Sequence, residues 1–240
     1  MQQLKLVFEL EKPELPKELD RLLVSFIKAA AEASSQEFFH EMYAKDRSVL
    51  KQYTYSYMLD RPRFEADRIL LGSSRLTMFF SDSDLGESIR FFNGFKSLVR
   101  KRYPMKNNSM TLVSIVMQRY RDISDREVVV KMMSPLIVRR HDPENNKDTY
   151  YTFDHREFSE ALKENIDFFL QKTGKSVSTE GFSITPVKAK KVVVPVFGRN
   201  TDASLGVYKL TGTPELLNVL YQAGMGARRS SGHGKWTLLL

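Results

Sequence analysis

A short apolar helix near the end of the chain runs into Gly224-Met225-Gly226-Ala227-Arg228-Arg229-Ser230-Ser231-Gly232-His233-Gly234-Lys235, and then into an apolar terminal segment. Glycines at 224, 226, 232 and 234 let the backbone take positive φ and let another backbone approach where a Cβ would block it. The stretch therefore has to pack as exposed main chain against something else, and its cations, Arg228, Arg229 and Lys235, with Ser230 between them, supply charge that pairs with phosphate. Two familiar glycine loops fail on spacing. The dinucleotide fingerprint follows a strand and opens a helix, the reverse of the order here. A phosphate-binding P-loop needs a Lys-Ser/Thr pair entering a helix, and Lys235 is followed by Trp236.

The rest of the chain supplies the packing partner. Leu4, Leu6, Phe8 and Leu10 alternate with polar residues, which predicts a half-buried strand ended by Pro13 and Pro16. From Lys17, Leu19, Leu22, Leu23, Phe26, Ile27 and Ala30 follow helical spacing, with Pro16 at the helix start. A second short helix carries Phe38, Phe39 and Met42 until Asp46-Arg47-Ser48 breaks it. Strands at Gln52 to Leu59, Arg68 to Leu71 and Arg75 to Phe80 come next, the last two joined by Gly72-Ser73-Ser74. Ser83 or Asp84 caps a helix through Ile89, Phe92, Phe95 and Val99 that ends in Arg100-Lys101-Arg102, and Met110 to Met117 is a strand.

This order is close to the β-α-β-β-α-β plan of a ferredoxin-like unit, and the second half repeats it. Strands are predicted at Glu127 to Met133 and Leu136 to Arg139, then a helix capped by Asp154 and stopped by Gly174. Strands at Gly181 to Thr185, Val187 to Phe197 and Leu205 to Leu210, a helix over Pro214 to Tyr221 and a last strand over Lys235 to Leu240 complete it. The reading is an α+β chain of two units, 1–122 and 123–240, joined near Arg119 to Arg126.

The terminal pattern G-x-G-x(5)-G-x-G resembles the glycine-rich loop of the RAMP superfamily, specifically its CRISPR repeat-processing endoribonucleases. Met132-Met133-Ser134-Pro135-Leu136-Ile137-Val138 is similar to the Ser-Pro-aliphatic segment that opens the second domain in that family. The resemblance covers both halves and implies two tandem ferredoxin-like (RAMP/RRM-like) domains. It also implies metal-independent cleavage within CRISPR repeat RNA to make guide RNAs, leaving 2′,3′-cyclic phosphate and 5′-OH ends. The other function it allows is a non-catalytic RAMP RNA-binding subunit of an effector ribonucleoprotein complex.

Charge and composition fit an RNA partner. Lys and Arg number 37 against 29 Asp and Glu, a net charge of +8, and such an excess favours a polyanion. There is no cysteine, which excludes disulfides, thiolate-bound zinc and a thiol nucleophile, and fits a reducing cytoplasm. The N-terminus lacks the apolar core and cleavage site of a signal peptide, and no apolar run approaches the roughly 20 residues of a membrane span. A soluble, cytoplasmic protein without a membrane partner is expected, and a homodimer is left open.

Four histidines are present: His40, His141, His155 and His233. His155 beside a helix cap and His141 in Arg140-His-Asp-Pro read as solvated, and His233 between two glycines reads as a packing residue. His40 differs. Phe38-Phe39-His40-Glu41-Met42-Tyr43, followed by Lys51-Gln-Tyr-Thr-Tyr-Ser, resembles the family's catalytic histidine at the end of the second helix and the lysine on the returning strand. RNA is cut without metal when its 2′-OH attacks the adjacent phosphate, which needs a base, an acid for the leaving 5′-oxygen and a cation for the crowded phosphate. Histidine titrates near neutrality and suits either proton role, and Lys51 suits the third. The family's tyrosine in the first helix is missing, since residues 19–33 contain none. Tyr43 is a candidate substitute and also reads as a packing aromatic, which leaves the third group and the acid and base assignments open.

Further RNA contacts are expected from Lys188 and Lys190, which alternate onto one face of a strand, and from Arg139 and Arg140 at another strand end; each also reads as a solvated edge. No metal site or cofactor is expected. The acids are scattered, and Asp82-Ser83-Asp84 fits a helix cap better than a metal site.

Overall fold

The computed structural model describes residues 2–44, 46, 49–119, 121–196 and 198–239. Arg47 and Ser48 of the expected helix break, Phe197 at a strand end and Leu240 lie outside the described residues. The chain divides into two compact units. One takes Gln2–Lys51 and Ser56–Tyr120, the other Gln52–Tyr55 and Arg121–Leu240.

In the first unit the elements are β1 (Gln2–Leu10), β2 (Glu14–Pro16), α1 (Leu19–Ser34), α2 (Gln36–Tyr43), β3 (Tyr53–Leu59), β4 (Arg63–Phe64), β5 (Arg68–Leu70), β6 (Arg75–Asp82), α3 (Leu85–Ser97), β7 (Arg102–Met105) and β8 (Asn108–Arg119). The main sheet runs β3-β6-β1-β8-β7. Its first four strands therefore lie in the order second, third, first, fourth, which is the ferredoxin-like arrangement. Antiparallel register sets Leu4 against Phe80, Leu6 against Met78 and Phe8 against Leu76, so one face of β1 and β6 is wholly apolar. Onto that face α1 turns Leu23, Phe26 and Ile27, and α3 turns Phe91 and Phe95, all buried. Phe26 meets Phe8 edge-on at 5.0 Å and stacks on Phe95 at 5.9 Å. Ser35 caps α2 by accepting from the Phe38 N–H, and Asp84 caps α3 by accepting from the Glu87 N–H at 2.8 Å.

The second unit holds β9 (Glu127–Met132), β10 (Val138–Asp142), β11 (Lys147–Tyr151), α4 (Phe158–Thr173), β12 (Ser183–Val196), β13 (Arg199–Thr211), α5 (Pro214–Ala223) and β14 (Trp236–Leu238). Its sheet order, β12-β13-β9-β14, is the same second, third, first, fourth sequence. The β10-β11 hairpin is an insertion between β9 and α4. The fold is thus two tandem ferredoxin-like units.

Several local expectations change. Pro16 does not open a helix. It closes β2 opposite Arg68, where a strand end needs no N–H from it, and α1 begins at Leu19. Asp154 does not cap α4, because its carboxylate takes the Thr152 hydroxyl in a turn that the His155 ring also closes, and the helix starts further on with Glu157 ahead of it. The two strands expected from Gly181 onward are one, Ser183–Val196. A register irregularity between Pro186 and Lys188, opposite Tyr208 and Val207, absorbs the proline within a single β12. Arg100-Lys101-Arg102 is not a helix end, since Arg100 turns the chain at φ 61 and Arg102 starts β7. The strand expected over Leu136 to Arg139 forms only from Val138, where β10 begins, whereas Leu136 and Ile137 make single bridges, to Ser204 and to Ala227.

Candidate functional site

In the first unit, α2 is too short to hold itself and is fixed by Phe38 and Met42, buried on its inner face. That leaves His40 exposed in its last turn. Tyr43 lies three residues on, over the same face of the helix. The Tyr43 ring is half-buried and tilts against Phe39 at 5.7 Å. Two ammonium groups approach it: Lys51 Nζ stands 4.8 Å from its centroid and Lys28 Nζ, from α1, 5.3 Å. Lys51 also donates to the Met42 carbonyl at the end of α2 and to the Val49 carbonyl at 2.9 Å. The negative end of the α2 dipole therefore holds a cation where the helix stops. The structure thus brings Tyr43 and Lys51 together, with His40 one turn away, and adds Lys28. Nothing in the sequence set that lysine apart from the other polar residues on the outer face of α1.

In the second unit the glycine loop is laced to the Ser134-Pro135-Leu136-Ile137 segment. Gly234 N–H donates to the Pro135 carbonyl at 2.9 Å, Ala227 N–H to Ile137 at 2.8 Å, and Lys235 N–H to the Ser134 hydroxyl at 3.0 Å; Met133 N–H donates to the Lys235 carbonyl at 2.8 Å. Within the loop, Met225 N–H donates to the Gly234 carbonyl at 2.9 Å. The approach is too close for side chains: a Cβ on Gly226 would lie 2.3 Å from the Ile137 carbonyl oxygen. Gln52–Tyr55 belongs to this unit, and the Thr54 hydroxyl donates to the His233 carbonyl at 3.2 Å.

The loop's charges separate. Arg228 is exposed, held in the left-handed region at φ 59, and Ser230 is half-buried beside it. Arg229 and Lys235, expected to contact RNA, are buried instead. Arg229 stacks its guanidinium 3.8 Å over Phe169 of α4 and donates to the Ala223 carbonyl at 3.2 Å, which makes it a packing arginine. Lys235 is 1% exposed, and burial draws its ammonium down to about 7. The alternation of a tight 3-10 turn decides which cation faces water, and sequence spacing does not show it.

Arg139 and Arg140 are both engaged with acidic partners. Arg139 pairs with Asp148 at 3.0 Å, and Arg140 makes a two-pronged pair with Glu164, its guanidinium pushed above its usual range by those bonds. A phosphate that reaches either arginine therefore has to compete with a carboxylate. Lys188 and Lys190 are both exposed on β12, whereas their neighbour Lys191 pairs with Asp202 at 2.7 Å.

His233 is 4% exposed, and its imidazole is pushed down to about 4, first by burial and then by the Arg228 charge. Between about pH 6.5 and pH 4 the ring is neutral in the folded chain and protonated in the unfolded one. Unfolding then takes up a proton, so stability falls as pH drops through this window. We expect the loss to approach about 3 kcal/mol by pH 4. Urea unfolding of the parent and of His233→Phe at pH 7 and pH 4.5 measures it, and an acid loss equal in both proteins refutes this assignment.

Among the described residues no group of three or more His, Asp or Glu side chains converges as metal donors would. Among them, too, no helix is long and apolar enough to cross a membrane.

Two ferredoxin-like units in tandem, the second closed by a glycine-rich loop against a Ser-Pro segment, define a RAMP-type protein. Residues 117–238 match the family model described as CRISPR associated protein Cas6, C-terminal, and the chain belongs to the Cas6 family. The fold is also that of solved structures. A Cas6-related protein from Pyrococcus furiosus superposes with a TM-score of 0.84 at 18% identity, over 99% of this chain and 98% of its own. A structure described as a RAMP protein binding different RNA substrates gives 0.82 at 18% identity over 100% of both chains. A Cas6 product complex gives 0.71 at 12% identity over 99% of both. No curated protein matches the chain.

Proposed function

We propose that this protein is a metal-independent endoribonuclease that cuts CRISPR repeat RNA to generate guide RNAs. The observation that carries the reading is the grouping of Tyr43 and Lys51, with exposed His40 one turn away, in a chain of the Cas6 family. The solved product complex of a Cas6 with the same fold supports it.

In this mechanism the substrate supplies its own nucleophile. The 2′-oxygen forms a bond to phosphorus, the P–O5′ bond breaks, and the proton lost by the 2′-OH is balanced by one delivered to the 5′-oxygen, leaving a 2′,3′-cyclic phosphate and a 5′-OH. His40 carries one of these protons, Lys51 meets the charge on the phosphorane, and Tyr43 is the candidate for the remaining role. RNA backbone is held by Arg228 and Ser230 of the glycine loop and by Lys188 and Lys190 of β12, all accessible to solvent.

One assay tests both parts. Repeat RNA incubated in EDTA is expected to be cut at a defined position, with cyclic phosphate on the upstream product. A strict need for a divalent ion in that reaction overturns the mechanism. RNA bound but uncut under all conditions makes the protein a RAMP subunit that carries guide RNA. In the binding arm, Arg228→Ala is expected to weaken affinity and reduce the salt slope by about 0.7 for each phosphate that the guanidinium neutralises, and an unchanged slope removes Arg228 from the interface.

A further inference from the structure

The first helix of this chain lacks the tyrosine that the resemblance led us to expect, yet α1 does send a group to the site. Lys28 leaves its exposed face and brings its ammonium to the ring of Tyr43, which Lys51 also approaches. The two lysines are not equivalent. Lys51 donates to the Met42 and Val49 carbonyls, so it fixes the end of α2 as well as offering charge. Lys28 is exposed, and among the described residues its ammonium is engaged only with the Tyr43 ring. Its four-carbon stem is free to reorient toward a ligand. Two ammonium groups converging on one aromatic ring repel each other, and an anion placed against both relieves that repulsion.

We infer that Lys28 is a second phosphate-contacting cation of the cleavage site: like Lys51 it stands at the Tyr43 ring, and it takes a non-bridging oxygen of the scissile phosphate. The inference rests on the endoribonuclease reading above and assigns a residue that the first helix contributes to it. In the ground state the phosphodiester carries one negative charge, and in the phosphorane it carries close to two. A mobile ammonium beside it therefore favours the transition state over bound substrate. Electrons and protons balance without Lys28, which contributes charge and transfers no proton.

The test compares single-turnover cleavage of repeat RNA by the parent, Lys28→Gln, Lys28→Arg and His40→Ala, beside the affinity of each for the same RNA carrying a 2′-deoxy sugar at the cut. Lys28 is exposed, so none of its variants should disturb folding. Lys28→Gln is expected to slow the cut on the order of 10- to 100-fold while affinity falls less than about fivefold, and Lys28→Arg to restore most of the rate because it keeps the charge. A Lys28→Gln protein that cleaves at the parent rate while His40→Ala is slow overturns this inference alone. Equal loss of rate in Lys28→Gln and Lys28→Arg also overturns it, since charge would then not be what the position supplies. A parent that cuts no repeat RNA overturns the inference and the endoribonuclease reading together.

Discussion

His40→Ala is expected to bind repeat RNA as the parent does and to cut it on the order of 10² to 10⁴ times more slowly, the usual span for a positioned acid or base. That is about 3–5 kcal/mol of lost transition-state stabilisation. The clean separation of rate from binding follows from where the side chain stands. His40 is exposed in the last turn of α2, whereas the residues that hold the helix are Phe38 and Met42 on the opposite face. Truncating the imidazole opens no cavity, and the helix keeps its Ser35 cap. The charge proposed to hold RNA comes from lysines and from Arg228, so affinity has no reason to move. Single-turnover rates with saturating enzyme, read beside binding to a 2′-deoxy substrate, make the measurement. A variant that stays folded and cleaves at the parent rate removes His40 from the chemistry.

The second large effect falls on stability. Gly234→Ala is expected to destabilise the second unit by about 4 kcal/mol or more, enough to lower the yield of folded protein. A Cβ there would stand 1.8 Å from the Met225 carbonyl oxygen, and the atom it meets is main chain that cannot swing aside. The Gly234 carbonyl also accepts from Met225 N–H, and its N–H donates to Pro135, so any shift breaks the lacing on both sides of the loop. Backbone conformation adds a smaller cost, because φ is +71. Gly181→Ala isolates that part: its φ is also +71, but nothing lies within 4 Å of the added carbon. It should cost only about 1–2 kcal/mol. Urea midpoints of the two variants give the comparison. Equal losses would mean that φ alone, and not the close approach of two backbone segments, makes this position glycine.

These two sites differ in how far the chain announces them. The glycine loop was readable because its demands are local: positive φ and the absence of a Cβ are properties of one residue, and four glycines at that spacing state them directly. The order of elements was readable for the same reason, since alternation along β1 and three-to-four spacing along α1 are written in neighbouring residues. Even so, Pro16 and Asp154 show the limit. A proline suits a strand end as well as a helix start, and a carboxylate suits a turn as well as a cap, and only the competing partner, Arg68 or Thr152, selects between them.

Charge was legible in amount and not in place. Net +8 pointed to a polyanion. Arg228 and Arg229 are adjacent, yet one faces solvent and the other lies on Phe169, far earlier in the chain. Arg140 and Glu164 cancel because a hairpin meets a helix. Lys28 reaches Tyr43 because α1 and α2 pack side by side, whereas in the sequence it is one more lysine on a helix surface. The sequence alone determined the succession of strands and helices, the backbone form of the loop and the histidine worth testing, because each is set by residues within a few positions of one another. Which cations face solvent, and which group of α1 reaches the Tyr43 ring, only the tertiary structure decided, because burial and pairing are properties of residues brought together from distant parts of the chain.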